Sequence, residues 1–234
     1  MKHLFLFTIA LILVAPTFAQ ANTSAISVTA PIDASDKQSL QRGAKSFVNY
    51  CLNCHSAKYM RYNRLVDIGL TEKQIVDNLM MSGGKIGDTM EVAMNPVEAK
   101  KWFGVAPPDL SVEVRARGAD WVYAYMRGFY RDSTTPTGWN NTVYVKTAMP
   151  HILYELQGEQ VLNHKTHALE IVKPGKLNAS EYNVFVVDLT NYMAYMAEPA
   201  KQNRQQTGWS VLLFLGVLLI LAKLLKNEYW RDVK

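Results

Sequence analysis

The chain is short of thiols. Its 234 residues include two cysteines, Cys51 and Cys54, three positions apart, so whatever chemistry claims the pair leaves no sulfhydryl over. It has no internal repeat, which excludes a stacked solenoid or propeller. It has no run of acidic residues and those it has are scattered, so only weak electrostatic steering of a strongly basic partner is expected. Long apolar runs are confined to the two ends. The middle is left for one modest domain, with ample chain to bury a core. The formal charge is +5, counting Lys2 in a segment expected to be removed.

That segment is Met1 to about Ala21. Lys2 gives a positive start, Leu4 to Val14 is an apolar run too short to span comfortably, and Ala19-Gln20-Ala21 is an A-x-A cleavage site. The pattern is that of a secretory signal peptide. At the other end, Trp209 to Leu225 is apolar on every face apart from Lys223, which lies near its far end. At ~1.5 Å per residue it nearly crosses a ~30 Å hydrocarbon core, with Lys223 free to snorkel. Trp209 and the Tyr229-Trp230 pair fall at the two headgroup zones. Lys226, Arg231 and Lys234 outnumber Glu228 and Asp232 beyond the span, which favours a cytoplasmic C-terminus. The expected divisions are a signal peptide (1–21), an exported domain (22–206), a transmembrane helix (207–226) and a cytoplasmic tail (227–234).

Residues 51 to 55 read Cys-Leu-Asn-Cys-His. Cys-x-x-Cys-His is the attachment signature of c-type haem. Each thiol adds to one vinyl group as a thioether, and two intervening residues let one turn of chain reach both vinyls. The histidine directly after lies under the iron and ligates it through a ring nitrogen. A redox disulfide needs no histidine next door. A zinc site would need a second half. His164-Lys165-Thr166-His167 has a shorter gap than zinc pairs use, and it lies far along the chain. Export fits the haem reading, because c-type attachment takes place outside the cytoplasmic membrane. It implies a bacterial source or an organelle descended from one.

Ser35 or Asp36 is placed to cap a helix that brings Leu40, Ala44, Phe47 and Cys51 onto one face. Gly43 and Phe47 resemble the small-plus-aromatic pair with which the first helix of class I cytochromes c crosses the last helix. Arg61 and Arg64 follow the motif and are candidates for a haem propionate or for a solvated basic turn, with equal weight. Thr71 to Gln74 is a capping box for a helix that stops at Gly83-Gly84. Lys85 to Lys101 lacks periodicity and reads as a long loop. Val105 to Ser111 is extended and ends in a cap residue for a helix that breaks near Gly118. Arg117 and Trp121 on that helix are candidate propionate partners, through guanidinium and indole N–H. Thr166 to Val172 alternates like a short strand. Ser180 caps a last amphipathic helix with a Tyr182, Phe185, Leu189, Tyr192, Met193, Met196 stripe, ended by Pro199, and Lys201 to Thr207 reads as a polar connector.

The iron of a c-type haem commonly takes a methionine sulfur on its second face. The ligand must come from a loop well after the histidine. Met149 in Ala148-Met149-Pro150 has that placement, and Pro150 bars Met149 from αR. Met80, Met81, Met126, Met193 and Met196 lie in helical patterns where packing is the default. Met90 and Met94 remain open as loop alternatives.

With these pieces placed, the sequence from about residue 33 onward resembles the cytochrome c1 family, the haem subunits of ubiquinol–cytochrome c reductase (bc1) complexes. The resemblance rests on Cys51 to His55, Tyr59-Met60-Arg61-Tyr62-Asn63-Arg64-Leu65, Pro107-Pro108-Asp109-Leu110-Ser111, Arg115-Ala116-Arg117, Ala148-Met149-Pro150 and the single C-terminal anchor. It implies a mainly α fold, a class I cytochrome c-like haem domain with insertions, followed by one transmembrane helix. It implies one covalent haem c on Cys51 and Cys54, with His55 and Met149 as axial ligands. Arg117 would meet a propionate. The family often has a tyrosine beside it, where this chain has Trp121 after a shorter stretch. The implied role is single-electron relay from the Rieske iron–sulfur protein to a periplasmic c-type cytochrome, beside cytochrome b. The complex would be dimeric, in the bacterial inner membrane, with the haem domain in the periplasm. The subunit would carry no catalysis of its own and bind no nucleic acid. Two rivals stay open: an anchored cytochrome c of a terminal oxidase or other respiratory complex, and a periplasmic thiol oxidoreductase.

Overall fold

A computed structural model describes residues 28–81 and 83–232. The expected signal peptide, 1–21, lies outside the described residues. Asp36 starts the first helix, α1 (Lys37–Ser46), by accepting the Ser39 N–H at 3.0 Å. That satisfies one of the donors every helix start leaves orphaned. A π turn over Phe47–Cys51 continues the axis, and Leu40, Ala44, Phe47 and Cys51 are all buried along it. Single π turns recur at functional sites, and this one ends on the first cysteine.

The long helix α7 (Ala179–Ala197) packs across α1. Asn178, not Ser180, caps it. Its carbonyl Oδ1 accepts the N–H groups of Ser180 and Glu181, each at 3.0 Å, while the Glu181 carboxylate accepts the Asn178 N–H at 2.8 Å. Asn-x-x-Glu is a complete capping box, which Ser180 cannot form. The crossing occurs at Gly43, where a Cβ would overlap the Asp188 carbonyl oxygen and come within 2.6 Å of the Tyr192 Cβ. Phe47 leans on Tyr192 with 5.6 Å between ring centroids. At the rim Arg42 forks onto Asp188 at 2.6 and 2.9 Å.

Between these two helices run β1 (Ala57–Arg61), a 3-10 turn (Tyr62–Ile68), α2 (Glu72–Leu79), β2 (Thr89–Met90), α3 (Pro96–Phe103), α4 (Glu113–Arg117), α5 (Ala119–Arg127), β3 (Phe129–Arg131), β4 (Trp139–Asn141), α6 (Tyr154–Gln157), β5 (Gly158–Leu162) and β6 (Leu169–Pro174). The strands form three small antiparallel pairs, β1–β2, β3–β4 and β5–β6. Residues 85–101 are therefore not one long loop: β2 pairs with β1, and Asn95 caps α3 with Pro96 in its first turn. Asn-Pro is a helix start signal that an aperiodic window hides. Gly118 separates α4 from α5 at φ 93°, in the left-handed region that only glycine enters freely. Ser111 caps nothing, because its hydroxyl accepts the Tyr59 N–H at 3.1 Å instead.

The last helix, α8 (Lys201–Tyr229), includes Lys201–Thr207, so the expected connector is already helical. Its 27 residues from Asn203 to Tyr229 are long and apolar enough to cross a membrane, and none of its apolar window is buried against the rest of the described chain. The architecture is mainly α with one such C-terminal helix.

The crossing at Gly43 yields a stability prediction. Gly43→Ala must push α1 off α7 and should cost about 3 kcal/mol or prevent folding, the upper range for overpacking. Gly87→Ala, where an added Cβ meets nothing within 4 Å, should be nearly neutral. Urea unfolding of the two variants in detergent checks both, and equal midpoints would contradict the assigned role of the crossing.

Candidate haem site

A cavity of about 500 Å³ opens between the cysteine motif, residues 103–110, the α4–α5 pair, residues 144–152 and Met193. That volume lies within the ~300–1,000 Å³ of ordinary cofactor sites. Its wall is largely apolar: Val105, Ala106, Pro107, Leu110, Val122 and Ile152 contribute. Cys51, Cys54, His55, Arg117, Trp121 and Met149 all face it, so the fold brings these six residues together at one cavity. A second cavity of about 500 Å³, near Arg127, Gln157 and Tyr182, is lined by no sulfur or imidazole.

The cysteine motif leaves the π turn as a tight bend. The Cys54 and His55 N–H groups both return to the Cys51 carbonyl, at 3.1 and 2.9 Å. Both cysteines are free thiols. Burial, reinforced by the nearby Cys54, pushes the Cys51 thiol up to about 12, and burial also raises Cys54. Thiols used in disulfide exchange are shifted the other way, towards the thiolate.

His55 Nδ1 lies 2.7 Å from the Pro108 carbonyl oxygen. Burial lowers the imidazole pKa against the opposing pull of that carbonyl, so the ring is neutral at pH 7. A neutral ring facing a carbonyl carries its proton on Nδ1 and leaves Nε2 with a free lone pair. Fixing one ring nitrogen in this way is how proteins aim a ligating histidine. Pro108 is itself held. The Leu110 N–H donates to the Ser56 carbonyl at 2.8 Å, and Asp109 accepts the Lys58 N–H at 2.9 Å and the Ser111 N–H at 2.8 Å. Residues 108–111 thus run alongside residues 56–59. Burial opposes the Asp109 charge, but the Ser111 and Lys58 hydrogen bonds outweigh it and hold the carboxyl below its usual range.

Arg117 pairs with Glu113, and its guanidinium lies 4.4 Å from the centre of the Trp121 ring. Arg61 and Arg64 do not reach the cavity: Arg61 donates to the Gly87 carbonyl at 2.6 Å and Arg64 pairs with Asp67 at 2.9 Å. Both are exposed: Arg61 ends β1, which pairs with β2, and Arg64 lies in the 3-10 turn that follows. Among the methionines, Met126 and Met193 join Met149 in the cavity wall, each from a helix. Met90 is fully buried in β2, where the Tyr192 hydroxyl points at its sulfur, so it leaves the set of ligand candidates.

Residues 142–153 include no helix or strand, yet side chains tie them down. Asn141 Oδ1 accepts the N–H groups of Val143 and Tyr144 at 2.8 and 3.2 Å. Asn140 Oδ1 accepts that of Lys146 at 2.8 Å, and Lys146 sits at φ 59°. Sequence reasoning missed Asn140 and Asn141; two adjacent asparagines ahead of an aperiodic stretch are the signal that was there to find. His151 follows the Met149-Pro150 pair. It is buried, and burial lowers its pKa to about 4 although the nearby Gln157 pulls the other way. Its Nε2 and the Gln157 Oε1 have no hydrogen-bond partner among the described residues.

Two free thiols, a neutral imidazole with one nitrogen committed, a thioether and an apolar wall form a donor set that suits a covalently held c-type haem. No group of three or more His, Cys, Asp or Glu that could hold a bare metal ion occurs among the described residues.

Comparison with known proteins places the chain in a family. A family model described as the Cytochrome C1 family matches residues 26–233. A protein of Nitrosomonas europaea named "Ammonia monooxygenase gamma subunit" is 53% identical over 97% of this chain and 97% of its own length. The cytochrome c1 of Allochromatium vinosum is 45% identical over 95% of this chain and 96% of its own. That of Rhodospirillum rubrum is 29% identical, over 85% and 83%.

The Asp109 carboxylate gives a pH prediction. A carboxyl with a depressed folded pKa stabilises above its unfolded value of about 3.9, and that contribution disappears as pH falls through the folded value. Residues 108–111 should therefore hold their register at pH 5 and loosen only below about pH 4. Asp109→Ala removes the acceptor at every pH. Amide exchange of Lys58 and Ser111 at pH 5 should be faster in that variant, and unchanged rates would show that the carboxylate does not hold the segment.

Proposed function

The chain belongs to the cytochrome c1 family, and we propose that it is the anchored haem subunit of a quinol-oxidising bc1 complex, relaying single electrons from the Rieske iron–sulfur protein to a periplasmic c-type cytochrome. The observation that carries the reading is the His55–Pro108 hydrogen bond at the wall of an apolar cavity that also holds both cysteines and Met149.

Cys51 and Cys54 would hold one haem c by thioether bonds, and His55 Nε2 and the Met149 sulfur would bind its iron. A haem in this site supplies a one-electron ferric–ferrous couple, and a thioether ligand raises its potential. The remaining work falls to the chain. Pro108 orients His55. The apolar wall keeps water from the cavity. Arg117, with Trp121 beneath it, is placed to meet a propionate carboxylate. On this reading the chain binds, orients and buries the haem, and the subunit works as a relay.

The basic excess after the apolar helix supports a cytoplasmic C-terminus and a periplasmic cavity, which a signal peptide at residues 1–21 would require. Cytochrome b and the Rieske protein are the expected partners, in a dimeric complex. The Nitrosomonas europaea relative, at 53% identity, favours a second reading in which the same site serves an ammonia monooxygenase. The thiol oxidoreductase reading is opposed by the raised Cys51 and Cys54 pKa values.

Purification through a tag on the C-terminal tail tests the proposal. One covalent haem band on a denaturing gel, co-purifying with b-type haem and quinol-dependent cytochrome reduction, is the expected outcome. Covalent haem with a monooxygenase or an oxidase would move the chain to another complex. A colourless protein with titratable thiols would end the haem reading. His55→Ala should abolish stable haem ligation.

The described and undescribed residues together show no acidic run, so electrostatic steering of a basic acceptor should be weak. Reduction of a basic soluble cytochrome c should fall little with added salt, and a steep fall would refute this.

A further inference from the structure

Met149 lies on a stretch without regular structure, yet a ligating sulfur must be held in place. A column of rings runs behind that stretch. Trp121 stacks on Tyr125 at 4.8 Å and 10°. Tyr125 meets Phe129 edge-on at 5.0 Å. Phe129 stacks on His151 at 4.8 Å and 5°, and His151 meets Trp139 edge-on at 5.0 Å. Arg131 covers Trp139, its guanidinium 3.9 Å from the ring centre.

Two polar members of this column flank the methionine. The Tyr125 hydroxyl lies 2.8 Å from the Thr147 hydroxyl, in a buried contact. The Thr147 hydroxyl in turn accepts the Met149 N–H at 3.4 Å. Two residues beyond Met149, the His151 ring is clasped between Phe129 and Trp139 and is 2% exposed. The backbone is thus gripped two positions before the sulfur and two positions after it.

We propose that Tyr125 and His151 are positioning residues: together they clamp residues 147–151 so that the Met149 sulfur stays at the cavity and resists displacement from the haem iron. The proposal rests on the haem reading above and adds to it what sets the strength of the second axial ligand. The clamp works because a ligand whose segment opens even briefly can be replaced by a competitor, and the competitor's apparent affinity scales with the open fraction. Removing one buried hydrogen bond from the closed state raises that fraction about tenfold.

The test uses the full chain with its haem, in detergent, and imidazole as the competing ligand. Wild type, Tyr125→Phe, Thr147→Val and His151→Leu are compared by haem-stained gel, by the sulfur-to-iron charge-transfer band of the oxidised protein, by imidazole titration and by midpoint potential. The expected result is covalent haem in all four, with imidazole binding about tenfold tighter, a weaker charge-transfer band and a lower potential in the variants. Covalent haem with an intact band and imidazole affinity within about twofold of wild type would overturn the clamp and leave the haem reading standing. Absence of covalent haem or of the sulfur band in the wild type itself would overturn the haem or the Met149 assignment, and the clamp with it. Tyr125→Phe and Thr147→Val remove one hydroxyl each, so the test does not hang on the larger His151→Leu change.

Discussion

Everything near the cavity depends on two helices being allowed to touch. Gly43 lets the α1 backbone rest on the Asp188 carbonyl of α7, two ends of the domain separated by most of its sequence. Once that contact is made, Phe47 and Tyr192 can pack and Arg42 can reach Asp188 at the rim. The π turn that follows α1 then has a fixed origin, and Cys51 emerges buried at the edge of the cavity. The apolar contact supplies the energy, while the missing side chain supplies the permission, and the geometry of the cysteine motif inherits both.

The cavity is then assembled from segments with little secondary structure of their own. Residues 107–111 are held by main-chain and carboxylate bonds to residues 56–59, so the strand after the histidine and the carbonyl that orients the histidine move as one piece. On the opposite side, Asn140 and Asn141 hold the approach to Met149. Short hydrogen-bonded ties of this sort suit a site that must grip a large flat cofactor, because each wall can be shaped independently of helix or strand geometry.

The parts of this arrangement that were legible in the sequence are those set by local rules. The Cys51 to His55 motif, the Asp36 and Thr71 caps, the break at Gly118 and the stripe on α7 each follow from residues within one turn of one another. The errors have the same origin. Ser180 looked like a cap because a hydroxyl precedes an apolar stripe, but Asn178 forms the reciprocal bond with Glu181. Arg61 and Arg64 looked available to a propionate, but Arg61 ends a strand paired with one almost thirty residues on, and Arg64 turns to Asp67. The carbonyl of Pro108 beneath His55 and the ring column behind Met149 join residues tens of positions apart, and no window of sequence contains them. The same holds for β2 and α3 within residues 85–101, where Asn95-Pro96 was the one local sign.

The junction between the last two helices has a mechanical consequence. Only Glu198, Pro199 and Ala200 separate α7 from α8, and Arg204 pairs back to Glu198 across the gap. A hinge of three residues reaches at most about 10 Å. The helix that crosses α1 is thus nearly continuous with a rod of about 43 Å, of which a ~30 Å hydrocarbon layer would enclose only part. A domain mounted on so short a neck has little freedom to lean or to wander from its base.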